Sequence, residues 1–261
     1  MNIHRFEGTT RPLTITSSRR RFVGSLVASF SLVALPVPRA RAKKHNKQTR
    51  QRRDAPAFTA VTRTVRQPLT KTFRNSDPIT IPSFGQASPY PSLIDVAGFT
   101  NGRILDINLT LHGFSHDFPS DVDILLAAAH VPGQNALVLS DVGGITGVTD
   151  LTLTLDDQAP TELPPGLASG IFRPTNLQGT FVDEFPAPAP TPRGGAQLSA
   201  FKDSNPNGSW QLFVVDGISG DGGSIAGGWS LEITAEVDVQ VEEQISVPGT
   251  KHKKHKKRGR R

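Results

Sequence analysis

Asp121 and Asp123 are separated by one residue in the stretch GFSHDFPSDVDILLAAAHVPG, residues 113–133. Residues two apart in a strand stand on one face, about 6.6 Å from each other. Two acids facing one way repel unless something cancels their charge. Calcium takes about six to eight oxygens at roughly 2.3–2.6 Å, so such a pair, leaning from a strand end, supplies two ligands and needs more from other loops. The candidates are Asp141 in SDVGG, Asp156 and Asp157 in LDDQ, and Asp216 and Asp221 in VVDGISGDGG. Oxygen donors in a chain without cysteine favour calcium over zinc. Taken singly, each of these aspartates has a plainer role, because Asp occupies turns by bonding nearby backbone and exposed acids keep a secreted domain soluble. Taken together, Asp121, Asp123, Asp141, Asp157, Asp216 and Asp221 are the expected ligand set of a calcium site.

Other chemistries fit less well. DSNPNGSWQLFV matches a helix-loop-helix calcium loop at Asp203, Asn205, Asn207 and Gly208, but Val214 stands where that loop needs a bidentate Glu and Pro206 interrupts it. It reads as a turn leading into a strand. His112 and His116 are four apart without the Glu of His-Glu-x-x-His and lie at a strand end instead of on a helix face, which argues against zinc. His116 is better suited to holding a turn, with Phe118 as neighbour. Asp156 and Asp157, adjacent in an extended segment, face opposite ways and do not form the facing carboxyls of glycoside hydrolysis. No Gly-x-Ser-x-Gly or Gly-Thr-Ser-x-Ala stretch accompanies the histidines. The residues therefore point to a protein that is not an enzyme.

Charge divides the chain into parts. Through Arg74 there are seventeen Lys and Arg against two acids, and residues 251–261 carry eight Lys and Arg and no acid. The 176 residues between hold four basic and twenty-one acidic side chains, so the formal +6 conceals a strongly acidic middle. Positive charge placed on two tails, not on a patterned face, predicts no specific nucleic-acid partner.

The N-terminal part has its own logic. Ser18, Arg19, Arg20, Arg21 and Phe22 precede an uncharged apolar run that ends at Pro38, and Ala40-Arg41-Ala42 follows. Basic region, apolar region and small-x-small site form the order of a secretory signal. The paired arginines with Phe22 resemble a bacterial twin-arginine signal, cleaved after Ala42. Pro36 and Pro38 and the shortness of the run argue against a retained span. Residues 43–68 are too polar to pack and read as a basic linker. The tail KHKKHKKRGRR has nothing to bury and reads as disordered, acting through charge toward anionic surface polymers.

The elements that must position the aspartates are strands. Leu105, Ile107, Leu109 and Leu111 alternate with polar residues, as do Leu151, Leu153 and Leu155. Trp210, Leu212 and Val214 share one face, and Trp229, Leu231 and Ile233 share another. Turn clusters such as DVGG, DSNPNG and DGISGDGG punctuate them, and no sustained helical repeat appears. Many short strands with strong turn signals predict an all-β antiparallel sandwich. EVDVQVEEQISV is either a charged edge strand or an extended stalk toward the tail.

Three ordered blocks, GFSHDFPSDVDILL, NGSWQLFVVD and SGDGGSIAGGWSLEIT, resemble the P domain (P/Homo B domain) that follows the catalytic domain of subtilisin-like proprotein convertases. The likeness runs from about Phe73 to Thr234. Matching positions include His116, Asp121, Leu125, Pro132 and Gly133, then Asn207, Gly208, Trp210 and Asp216, then Asp221, Gly223 and Trp229. Ser120-Asp121-Val122 departs from the family's Gly-Asp-Leu, and AAAHVPG stretches its Ser-Pro-x-Gly turn. The resemblance implies a jelly-roll, galactose-binding-like sandwich, calcium sites as in some bacterial relatives, and a role assisting a serine protease. Family-level labels of serine-type endopeptidase activity would be inherited from a catalytic domain absent from these residues.

The expected organisation is a twin-arginine signal at 1–42, a linker at 43–68, the sandwich at 69–246 and a basic tail at 247–261. The expected function is that of a secreted or cell-surface, non-catalytic, calcium-binding module contacting a serine protease or another secreted protein. The alternative is an adhesin or carbohydrate-binding sandwich, for which two Trp and one Tyr supply few aromatic platforms.

Overall fold

The computed structural model describes residues 57–177, 183–193 and 195–247. Ser18, Arg19, Arg20, Phe22 and the basic tail lie outside them. Among the described residues thirteen strands follow in order: β1 (Ala57–Asn75), β2 (Ile79–Ile81), β3 (Gly85–Gln86), β4 (Ser92–Val96), β5 (Arg103–His116), β6 (Val122–Ala128), β7 (Asn135–Ser140), β8 (Val148–Leu155), β9 (Gly170–Phe172), β10 (Thr175–Asn176), β11 (Gly208–Asp216), β12 (Gly223–Ile225) and β13 (Trp229–Val247). Two single-turn 3-10 helices, Pro119–Asp121 and Leu198–Phe201, interrupt them.

The fold is an all-β sandwich. One sheet runs β1-β13-β5-β12-β2, with β8 on β5 and β9 on β8; the other runs β10-β7-β6-β11-β3, with β4 on β11. Most pairings are antiparallel as expected, but β7 with β10 and β8 with β9 are short parallel pairings. Trp210, Leu212 and Val214 from one sheet meet Leu109, Leu111, Trp229, Leu231 and Ile233 from the other, all essentially solvent-free. Each indole N–H is satisfied: Trp210 donates to the Pro206 carbonyl (3.0 Å) and Trp229 to the Ser92 hydroxyl (2.9 Å). A buried polar handle without a partner would cost about 1–3 kcal/mol.

Two sequence expectations change. The alternation in β5 slips by one: Ile104 is buried and Leu105 is exposed, because the β13 pairing skips from Asp106 to Ile104 at a bulge between Thr234 and Ala235. An extra residue on one strand reverses every side chain beyond it. Residues 57–68, read as linker, are strand instead, paired residue for residue with β13 from Ala57↔Val247 to Asn75↔Trp229. Pairing supplies the hydrogen bonds that these polar side chains do not advertise. β13 pairs with β5 only as far as Glu236, so the stretch read as edge or stalk is both: an edge strand of a two-stranded ribbon running past the sandwich.

The core face of the second sheet is Val122, Ile124, Leu126 and Ala128 on β6. The opposite face of that sheet is also covered, by Leu125, Ala127, Leu137 and Phe213 under Tyr90, Phe185 and Ala189. Asp123 lies in the same outward row as Leu125 and Ala127, which is why it is buried although it does not enter the core.

Candidate functional site

Four of the six predicted aspartates converge at one end of the second sheet. Asp216 closes β11 opposite Val122, and Asp123 pairs with Val215 one step inward. Asp121 stands in the 3-10 turn just before β6, not on the strand, so the expected same-face pair is a turn residue beside a strand residue. Its carbonyl accepts from the Gly217 N–H (2.8 Å), tying the β6 entry to the β11 exit.

Asp141 comes from the SDVGG turn after β7. It adopts a left-handed backbone, φ 56°, which Asp tolerates better than most residues, and Gly143 and Gly144 continue with φ 98° and 71°. A side chain at Gly144 would run into the Pro165 carbonyl. The turn folds back so that the Ser120 N–H donates to the Gly144 carbonyl (3.1 Å), and this brings Asp141 beside the Asp121 turn.

These acids line a pocket of about 620 Å³ together with Asp183, Glu184, Ser120 and an apolar rim of Phe84, Pro186, Val215 and Ile218. Among the described residues no Lys, Arg or His lines it. Asp121 is 6% exposed and Asp123 8%. Burial pushes the Asp123 carboxyl up to about 7, reinforced by the charges of Asp183 and Asp141 and opposed by the nearby Ser140 hydroxyl. Burial also raises Asp121, with the Asp216 charge adding to it, and raises Asp183, with Asp141 adding. Carboxylates out of water and beside one another are the arrangement a bound cation relieves.

Asp216 is anchored differently. His116 Nδ1 accepts from the Phe118 N–H (3.2 Å), which leaves its Nε2–H to donate to Asp216 Oδ2 (3.2 Å). The other Asp216 oxygen accepts from the Ile218 N–H (3.0 Å). Burial raises the Asp216 carboxyl while the Ile218 and His116 contacts oppose the rise. His116 thus holds a turn, as expected, and also fixes one wall of the pocket. His112 bonds Ser230 instead (2.9 Å), so the two histidines share no ligand.

Two predicted residues are elsewhere. Asp157 accepts from the Leu198 and Ser199 N–H groups (2.9 and 2.7 Å), pinning the second 3-10 turn beside a separate hollow of about 140 Å³. It serves as a cap in place of a ligand. Asp221 does not line the pocket, although its charge reaches Asp121 and Asp216. Asp183 and Glu184 were missed: they precede the proline-rich PAPAP stretch, and nothing local signals that this segment crosses back over β6. The DSNPNG loop is the turn it was expected to be, with Asp203 bonded to Arg103 (2.8 Å) and Asn207 bonded to both backbone groups of Phe99 (2.7 and 3.0 Å).

Among the described residues no three Asp, Glu or His side chains already stand in metal-ligand geometry. The donor set is nonetheless all oxygen and anionic, as a hard cation requires. None of the protein-family models, curated proteins or solved structures compared with this chain matches it.

Proposed function

We propose that this chain is an exported, non-catalytic β-sandwich module that takes a cation, calcium, into the acidic pocket and presents that end of the sandwich to a partner. The observation that carries the proposal is the buried Asp123 in one pocket with Asp121, Asp141, Asp183 and Asp216, where among the described residues no basic side chain lines the wall. Asp121, Asp123, Asp141 and Asp183 would hold the ion; because they are not drawn together into a closed ligand shell, water and nearby carbonyls complete its coordination. The ion would neutralise the charge that now opposes burial, and so order the three loops that carry the acids.

The resemblance to the P domain of proprotein convertases supports the same reading and suggests the partner, a subtilisin-like serine protease or another secreted protein. The twin-arginine-like segment would send the module outside the cytoplasm, and the basic tail would hold it near anionic surface polymers. The adhesin or carbohydrate-binding reading rests on Phe84, 65% exposed at the pocket rim, since both Trp are buried and offer no face to a sugar.

Thermal unfolding in calcium and in EGTA tests the proposal. A site present only in the folded state adds about 2.7 kcal/mol when calcium is a hundredfold above Kd. Asp121→Asn should reduce the gain. Identical unfolding temperatures in calcium and EGTA would leave the pocket without a calcium role.

A further inference from the structure

The ribbon formed by residues 57–65 of β1 and 239–247 of β13 is about 30 Å long and continues one sheet beyond the sandwich. Opposed residues share a face. One face carries Leu69, Val65 and Val61 on β1 and Val237, Val239, Val241, Ile245 and Val247 on β13, interrupted by the Arg63–Glu243 ion pair (2.7 Å). This row prolongs the core row Leu231, Ile233, Ala235 and Val237. Val61 is 41% exposed and Ile245 50%. Thr59 and Gln67 share that face, and the other face carries Thr62, Thr64, Glu242 and Gln240 with Phe58 at its tip. Leu69, Val237 and Val239 still pack against the core; beyond them, among the described residues, Val61, Ile245 and Val247 stay exposed.

Among the described residues both edges are open as well. β1 ends its sheet, and β13 loses β5 after Glu236, keeping only an Asp238 N–H bond to the Thr100 carbonyl beyond it. Two open edges beside an exposed apolar face call for strands on either side. The charges say which strands. Beyond the β5 pairing, β1 carries Arg63 and Arg66 and no acid, whereas β13 carries Asp238, Glu242 and Glu243 and no base; within one copy Arg63 meets Glu243 and Arg66 meets Asp238, leaving β1 the basic edge and β13 the acidic one. A β1 edge against a second β1 edge, or β13 against β13, sets like charges together; only β1 against the β13 of another copy pairs opposite charges.

We propose that the ribbon is an assembly element: copies of this chain join β1 of one to β13 of the next, closing a ring of antiparallel strands with the apolar faces inward. Ribbons pointing one way around an axis place β1 antiparallel to the neighbouring β13. The repeated head-to-tail contact then closes as a cyclic oligomer. Two ribbons give four strands, too narrow to enclose side chains, so the ring needs at least three copies. Closure removes every edge and buries the valine row.

Native mass spectrometry and light scattering on the full chain test this. The expected result is an oligomer of three or more copies. A variant with an all-acidic ribbon, Arg63→Glu with Arg66→Glu, and one with a basic β13, Glu242→Lys with Glu243→Lys, should each be monomeric. Mixing them should restore association, because each then meets an opposite edge; a purely structural defect would not be rescued this way. Val241→Lys, on the apolar face, should also give a monomer while retaining the cooperative unfolding of the sandwich. A monomeric or two-fold dimeric wild type, or charge variants that assemble as the wild type does, would overturn the proposal.

Discussion

Replacing Asp123 by Asn should make the protein more stable at pH 8 and leave it nearly unchanged at pH 4. In the unfolded chain this carboxyl titrates near 3.8, and in the folded chain burial moves it to about 7. A raised folded value means the native state holds a proton that the unfolded state has already released. No penalty exists below pH 4. It grows as pH rises from about 4 to 7 and is complete above 7. The difference of about three pH units corresponds to roughly 4 kcal/mol at about 1.36 kcal/mol per unit, an upper figure because the neighbouring acids share their protons. Urea unfolding of wild type and Asp123→Asn at both pH values, with EGTA present, reads the effect directly. Wild type should lose stability between pH 5 and 8 and the variant should lose less. If Asp123→Asn is no more stable than wild type at pH 8 in EGTA, the carboxylate is not uncompensated and the electrostatic reasoning about the pocket fails. With calcium the order should reverse, since the ion favours the charged carboxylate that Asn lacks.

Two further predictions separate the pocket from the rest of the chain. Asp157→Ala should cost about 1–2 kcal/mol in unfolding experiments by releasing the Leu198 and Ser199 N–H groups, yet leave any calcium response intact, as expected of a cap remote from the pocket. Replacing Arg19 and Arg20 with Lys should trap precursor in the cytoplasm of a bacterial host; unchanged export by cell fractionation would exclude the twin-arginine route.

The sequence by itself determined the class of fold and much of the pocket. Period-two alternation and dense turn residues require strands, and strands with one apolar face require a second sheet. Trp210, Leu212, Val214, Trp229, Leu231 and Ile233 were legible as core because their spacing alone puts them on one side. Asp121, Asp141 and Asp216 were legible as neighbours because each ends a strand or opens a turn, and strand ends gather at the poles of a sandwich. The tertiary structure decided what depends on partners distant in the chain. Asp157 and Asp141 look alike locally, but backbone N–H groups about forty residues away claim the first, and a folded-back glycine turn aims the second into the pocket. Asp183 reaches the site only because its segment crosses the outer face of β6. The same cause explains Leu105, turned outward by a bulge in its pairing with β13, and residues 57–68, whose polar side chains conceal a strand held by backbone bonds to the other end of the chain. Spacing along a chain fixes which side a residue faces; which backbone or carboxylate it meets there is fixed only when strands far apart in sequence pair.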